Sequence, residues 1–190
     1  LPGIEELNLV KRVFSLKSDS ILDEFEDVFK GLGEVKGIKH TIRLKPDATP
    51  VVHPPRRVPV ALRDALQEEL KRMEQLDVIE KVEEPTDWVN SLVVVRKKNN
   101  KIRVCMDPSD LNKAIKREHY PMKTVEEVVS RMPDAKVFSV LDANHGFWQI
   151  PLDEQSTKYC TFNTPFGRYA FKRLPFGICS APEVFQKYMT

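Results

Sequence analysis

The hydrophobic pattern changes period several times along the chain. Over residues 61–78, "ALRDALQEELKRMEQLDV" puts Leu62, Leu66, Leu70, Met73 and Leu76 on one face of a helix, with Glu68 and Arg72 spaced i,i+4 as a surface pair. "VIEKV" follows as a short strand. "SLVVVRKK" and "KIRVCMD" flank Asn99–Asn100. Asparagine tolerates positive φ, so the pair predicts a hairpin closed by a tight two-residue turn. "KTVEEVVSRM" predicts another helix, capped by Thr124 and Glu127, with Val125, Val128, Val129 and Met132 turned inward. "KVFSVLD" reads as a buried strand ending at Asp142, and "FWQIPL" as its continuation or partner. "YCTFNT" and "YAFKRL" form an antiparallel pair about "PFG". Ser180 and Glu183 then open a last helix by a capping box, with Phe185, Tyr188 and Met189 as its apolar face. The class expected from these elements is α+β with a mainly antiparallel sheet.

Residues 1–60 read differently. "SDSILDEFEDVF" predicts a short amphipathic helix with Ile21, Leu22, Phe25, Val28 and Phe29 together, and "KHTIRL" alternates like a strand with Ile42 and Leu44 on one side. Pro46, Pro50, Pro54, Pro55 and Pro59 then forbid both helix and central strand, so this segment should run extended across a surface. The expected organisation is an extension over 1–60 and a folded domain over 61–190. The chain opens at Leu1 rather than Met, and Thr190 falls within the last helix. A chain cut from a longer one is the expectation.

Composition narrows the class. A 41% hydrophobic and 31% charged chain is ordinary for a globular protein. The longest apolar runs, "SLVVV" and "VFSVL", are far shorter than the roughly 18–20 residues that span a bilayer, so no membrane role is expected. Cys105, Cys160 and Cys179 lie far apart without metal-ligand spacing. That argues against zinc and a disulfide framework, and fits a reducing compartment. The net charge of +2 hides a gradient: residues 1–30 carry seven acids and four bases, residues 91–120 eight bases and three acids. Such a basic stretch either faces a polyanion or is a solvated face.

The chemistry-bearing residues fall in two places. Arg96, Lys97, Lys98, Lys101 and Arg103 crowd the hairpin, and Asp142 precedes Gly146 and Phe147 closely. Alone, Asp142 could be a turn residue. Together the two features fit nucleotidyl transfer, in which carboxylates hold metal ions and basic side chains close on phosphates.

Three blocks in order, "SLVVVRKKNNKIRVCMDPSDLNKAIKREHYPM", "FSVLDANHGFWQIPL" and "KYCTFNTPFGRYAFKRLPFGICSAPEVFQ", closely resemble the reverse transcriptase domain of gypsy-like long-terminal-repeat retrotransposon Pol polyproteins, over roughly residues 20–190. The resemblance implies a right-hand polymerase fold, here the fingers and the first part of the palm. It implies RNA-directed DNA polymerase chemistry: Asp142 as catalytic aspartate and metal ligand, and Phe147 as the aromatic gate beneath the deoxyribose. It further implies backbone N–H groups of His145 and Gly146 at the triphosphate, Arg103 on base and phosphates, and a phosphate contact from one of Arg96, Lys97 and Lys98. Phe176, in "LPFG" at 174–177, would face base or sugar. Implied partners are two Mg2+ ions (Mn2+ as the alternative), deoxynucleoside triphosphates, and a primer on an RNA or DNA template. The downstream palm and thumb and the protease, ribonuclease H and integrase segments of a polyprotein are implied too, as is a cytoplasmic (in virus-like particles) or nuclear setting.

Two departures stand out. Ser109 occupies a position where the family commonly has arginine, and "ANHG" replaces a more usual short polar stretch. No Tyr-x-Asp-Asp occurs in the 190 residues, so this chain by itself is expected to be inactive. The competing expectation is a non-catalytic remnant that binds nucleic acid or protein.

Overall fold

The computed structural model describes residues 23–96, 101–138 and 142–190. Two compact units divide the chain, Leu1–Gly31 and Leu32–Thr190. In the first, helix α1 (Glu26–Phe29) is a single turn with Glu26 and Asp27 at its start, and Phe25, Val28 and Phe29 are all exposed. Ile21 and Leu22 of the expected apolar face lie outside the described residues.

The second unit is built on α2 (Val60–Gln75). Leu66, Leu70 and Met73 recur at helical spacing and are fully buried, which is why this stretch folds as a helix against the sheet rather than as a strand. The helix stops at Leu76, and Asp77 takes a left-handed φ of 54° that turns the chain into β1 (Ile79–Val82). Strands β2 (Ser91–Arg96) and β3 (Ile102–Asp107) form an antiparallel ladder from Ser91–Asp107 to Arg96–Ile102. Period-two alternation sends Leu92, Ile102, Val104 and Met106 to the core. The turn residues 97–100, including the expected Asn99–Asn100 turn, lie outside the described residues. Helix α3 (Ser109–Ala114) follows β3 directly.

After α4 (Val125–Val129), a 3-10 turn at Gly146–Gln149 and α5 (Glu154–Tyr159), strands β4 (Thr161–Thr164) and β5 (Gly167–Phe171) make a tight hairpin. They complete an antiparallel sheet of order β1-β5-β4. Ile79 pairs with Phe171 and Phe162 with Tyr169, and the Phe162 and Phe171 rings meet at 5.1 Å in the core. Asn90 links this sheet to the first: its backbone N–H donates to the Thr161 carbonyl at 2.7 Å, and its side chain to Tyr159 and Thr161 carbonyls. The chain then enters α6 (Ala181–Met189).

Residues 32–59 run along this body with turns at 36–37 and 46–47, and from 49 to 59 the chain is extended, as the prolines require. His40 N–H donates to the Pro151 carbonyl, Lys45 N–H to Ala114 and His53 N–H to Val89, each at 2.8 Å. Ile42 and Val58 are buried, and Leu44 makes an isolated bridge with Ile115. Arg56 and His53 reach Asp107 and Asp110 at 2.7 and 2.9 Å.

Several sequence expectations are corrected. The Thr124–Glu127 capping box forms, but every residue from 121 to 138 is exposed, so the valines and Met132 are not turned inward. Residues 136–138 are irregular and exposed instead of strand, with Val137 at 86%; residues 139–141 lie outside the described part. "FWQIPL" is a 3-10 turn plus a bridge between Pro151 and Arg173, because the left-handed His145 coils the backbone at its start. Ser180 has helical φ/ψ and makes no cap bond, while Glu183 is taken by Arg117. Arg72 grips Glu69 rather than Glu68, since the i,i+3 carboxylate accepts both Nε (2.8 Å) and Nη2 (2.7 Å).

Candidate nucleotide site

The 3-10 turn, the 174–179 loop and α6 converge on one aromatic corner. His145 begins it with φ 50° and ψ 48°, and its ring stacks on Trp148 at 4.3 Å. Gly146 follows because a side chain there would lie 3.0 Å from the Phe185 ring. That close approach turns Phe147 toward two rings, Phe176 at 5.0 Å and Phe185 at 5.8 Å, while Trp148 is buried beneath. Phe147 is half-buried and Phe176 is 36% exposed, so the corner presents aromatic surface rather than closing on itself.

The loop carrying Phe176 is pinned at both ends. Buried Leu174 donates its N–H to the Ile150 carbonyl at 2.9 Å, and buried Ile178 anchors the far side. Between them Gly177 adopts φ +102°, where a Cβ would also meet Pro108 Cδ at 3.1 Å. Just upstream, buried Arg173 pairs with Glu34 at 2.7 Å and donates to the Asp77 and Trp148 carbonyls. The extended segment, the 3-10 turn and the end of β5 are thereby tied together.

Asp142 is exposed at the entrance to this turn. Its oxygens are the hard donors Mg2+ prefers. However, no group of three or more His, Cys, Asp or Glu among the described residues is placed to hold a metal. One carboxylate does not make a two-ion centre. Arg96 and Arg103 are exposed on the β2–β3 hairpin, Arg103 paired with Val95 on its outer face. Lys97 and Lys98 lie outside the described residues. The structure therefore brings together His145, Gly146, Phe147 and Phe176 of the expected set, with Asp142 just ahead of the turn and the two arginines on the hairpin.

Nothing in the sequence marks Phe185 or Asn112 as part of this corner. Phe185 was legible only as an apolar helix position, and Asn112 gave no signal, because its partners are 65 residues away and more. The acids of the same stretch are structural. Ser109 and Arg56 hold the Asp107 carboxyl below the usual range, and Lys113 and His53 do the same for Asp110. Asp153 caps α5 through the Ser156 N–H at 2.8 Å. A cavity of about 620 Å3 lies elsewhere, on the sheet face between Glu80, Trp88 and Lys158, and no expected nucleotide residue lines it.

Residues 95–190 match the reverse transcriptase (RNA-dependent DNA polymerase) family. The chain belongs to that family. An uncharacterized protein of Caenorhabditis elegans is 37% identical over 171 residues, 88% of this chain and 13% of the relative. The retrovirus-related Pol polyprotein from transposon 412 of Drosophila melanogaster is 31% identical over 190 residues, 94% of this chain and 15% of the polyprotein. The chain thus spans under a sixth of the length of these relatives. Prototype foamy virus protease-reverse transcriptase superposes over the whole chain and 24% of its own length, with a TM-score of 0.75 and 16% identity. A foamy viral protease-reverse transcriptase in complex with RNA/DNA hybrid gives 0.74 at 15% identity, over the whole chain and 26% of its own. The fold is that of a reverse transcriptase, α+β with antiparallel sheets. Among the described residues no helix is long and apolar enough to cross a membrane.

Proposed function

We propose that this chain is the nucleotide-selecting part of an RNA-directed DNA polymerase that works within a longer Pol polyprotein. The observation that carries the reading is the contact between half-buried Phe147, five residues downstream of Asp142, and the exposed ring of Phe176, in a chain of this family. An incoming deoxynucleotide would lay its sugar against Phe147, whose ring leaves no room for a 2′-hydroxyl, with Phe176 beside base or sugar. His145 and Gly146 backbone N–H groups, Arg103, and one of Arg96, Lys97 and Lys98 would meet the triphosphate, where opposite charge and directed donors hold phosphate best. Asp142 would supply one carboxylate toward Mg2+ or Mn2+, two ions being shared with carboxylates from outside these residues; bound there, they neutralise phosphate charge.

The partners are deoxynucleoside triphosphates and a primer on an RNA or DNA template, gripped mainly by its phosphates and hence more weakly as salt rises. Residues 1–60 act as the extension from an upstream polyprotein segment and 61–190 as the polymerase portion. The remaining palm and thumb, with protease, ribonuclease H and integrase segments, complete the polyprotein. It works inside the cell, in cytoplasm or nucleus.

The test is primer extension by the longer protein that carries this chain. Asp142→Asn should lower extension at least about a thousandfold, roughly 4 kcal/mol of transition-state stabilisation. Extension by Asp142→Asn at the wild-type rate contradicts the assignment. Tight primer–template binding by wild type without any extension points instead to a non-catalytic nucleic-acid module.

A further inference from the structure

Asn112 sits in α3, 65 residues before the glycine of the 174–179 loop, and its side chain does nothing for its own helix. Its Nδ2 donates to the Gly177 carbonyl at 2.9 Å, and its Oδ1 accepts from the Cys179 N–H at 2.9 Å. One amide group therefore holds the backbone on both sides of buried Ile178, as a neighbouring strand would. The two bonds need the donor and the acceptor in this one order and at this one reach.

The loop they hold has reason to need holding. Gly177 is at φ +102°, and Met106 O and the Pro108 ring crowd its open side, so α3 and the end of β3 press directly on it. Phe176 immediately precedes this glycine. Its ring is 5.0 Å from Phe147 and 6.3 Å from Trp148, and its 36% exposure leaves it resting on those rings rather than locked in the core. The placement of Phe176 therefore depends on the loop backbone, and the placement of Phe147 depends in part on Phe176.

We propose that Asn112 is a positioning residue for sugar selection: by clamping Gly177 and Cys179 it seats Phe176 against Phe147 and keeps the gate narrow. The proposal rests on the reading of Phe147 as the sugar gate. Asn112 itself touches no reacting atom. Asn112→Leu keeps the size and removes both bonds. Asn112→Asp keeps an acceptor for Cys179 N–H but turns a second oxygen on the Gly177 carbonyl, so it should fall between leucine and wild type.

The experiment uses the longer protein and compares wild type, Asn112→Asp, Asn112→Leu and Phe147→Ala in single-nucleotide incorporation with deoxy- and ribonucleotides. Loss of the clamp should raise the deoxynucleotide KM about tenfold and lower the deoxy-over-ribo preference by about the same factor, with kcat within about twofold. Hydrogen exchange at the Cys179 amide of the longer protein should quicken in parallel. Unchanged exchange in Asn112→Leu overturns the clamp. Quickened exchange with wild-type sugar preference, in a protein where Phe147→Ala relaxes it, overturns the positioning role alone. A wild type that extends no primer overturns the polymerase reading and this proposal with it.

Discussion

Helix α4 has Val125, Val128 and Val129 on a short segment opened by Thr124 and Glu127. Helix α6 has Val184, Phe185 and Tyr188 on a segment opened by Ser180 and Glu183. In α4 both bonds of the capping box form, yet Val125, Val128 and Val129 are 65%, 43% and 58% exposed. In α6 neither cap bond forms, yet Val184 is fully buried and Phe185 packs against the Phe147 ring. A capping box is a local device, satisfied within four residues. Burial depends on what else the chain brings to that face. Glu183 shows the trade, since Arg117 on a distant segment binds its carboxylate in place of the cap.

The same substitution in both helices sharpens this contrast. Val184→Asp buries an unpaired carboxylate and should cost more than about 4 kcal/mol of unfolding free energy in urea titrations. Val128→Asp should stay within about 0.5 kcal/mol of wild type. Equal costs would mean that α4 is packed as tightly as α6.

A smaller effect comes through His40, which is 3% exposed and lies edge-on to the α6 residue Tyr188 at 6.1 Å. Burial lowers its pKa. Glu118 and Asp153 oppose that shift, while Lys187 and Arg43 reinforce it. The folded protein therefore prefers neutral His40, and the unfolded chain takes up the proton more readily. The stability it contributes is full above the ordinary histidine range near 6.5 and is lost as pH falls through that range toward the lowered folded value. His40→Gln should flatten the stability profile between about pH 7 and pH 5. An unchanged slope would place the pH dependence on the carboxylates instead.

Local pattern carried most of the scaffold. The Leu66–Leu70–Met73 stripe, the β2–β3 and β4–β5 pairs and the proline-rich extended run are all written within a few neighbouring residues, and all appear. The Phe147 and Phe176 candidates were legible because the motifs around them resemble a family, not because any spacing puts two rings 29 residues apart at 5.0 Å. What stayed illegible is of two kinds: the Asn112 clamp and the Arg117–Glu183 pair join residues far apart in sequence, while the left-handed φ at His145, which makes "FWQIPL" a 3-10 turn plus a bridge, is a local conformation that no hydrophobic pattern encodes.

The most direct test of the aromatic gate is the ratio of ribonucleotide to deoxyribonucleotide incorporation by Phe147→Ala in the longer protein. If Phe147 polices the 2′-position, removing the ring should raise ribonucleotide use by about a hundredfold or more, roughly 3 kcal/mol of discrimination, while deoxynucleotide extension continues. A Phe147→Ala protein that still extends primers and rejects ribonucleotides as strictly as wild type would show that Phe147 is packing alone and that sugar selection lies elsewhere.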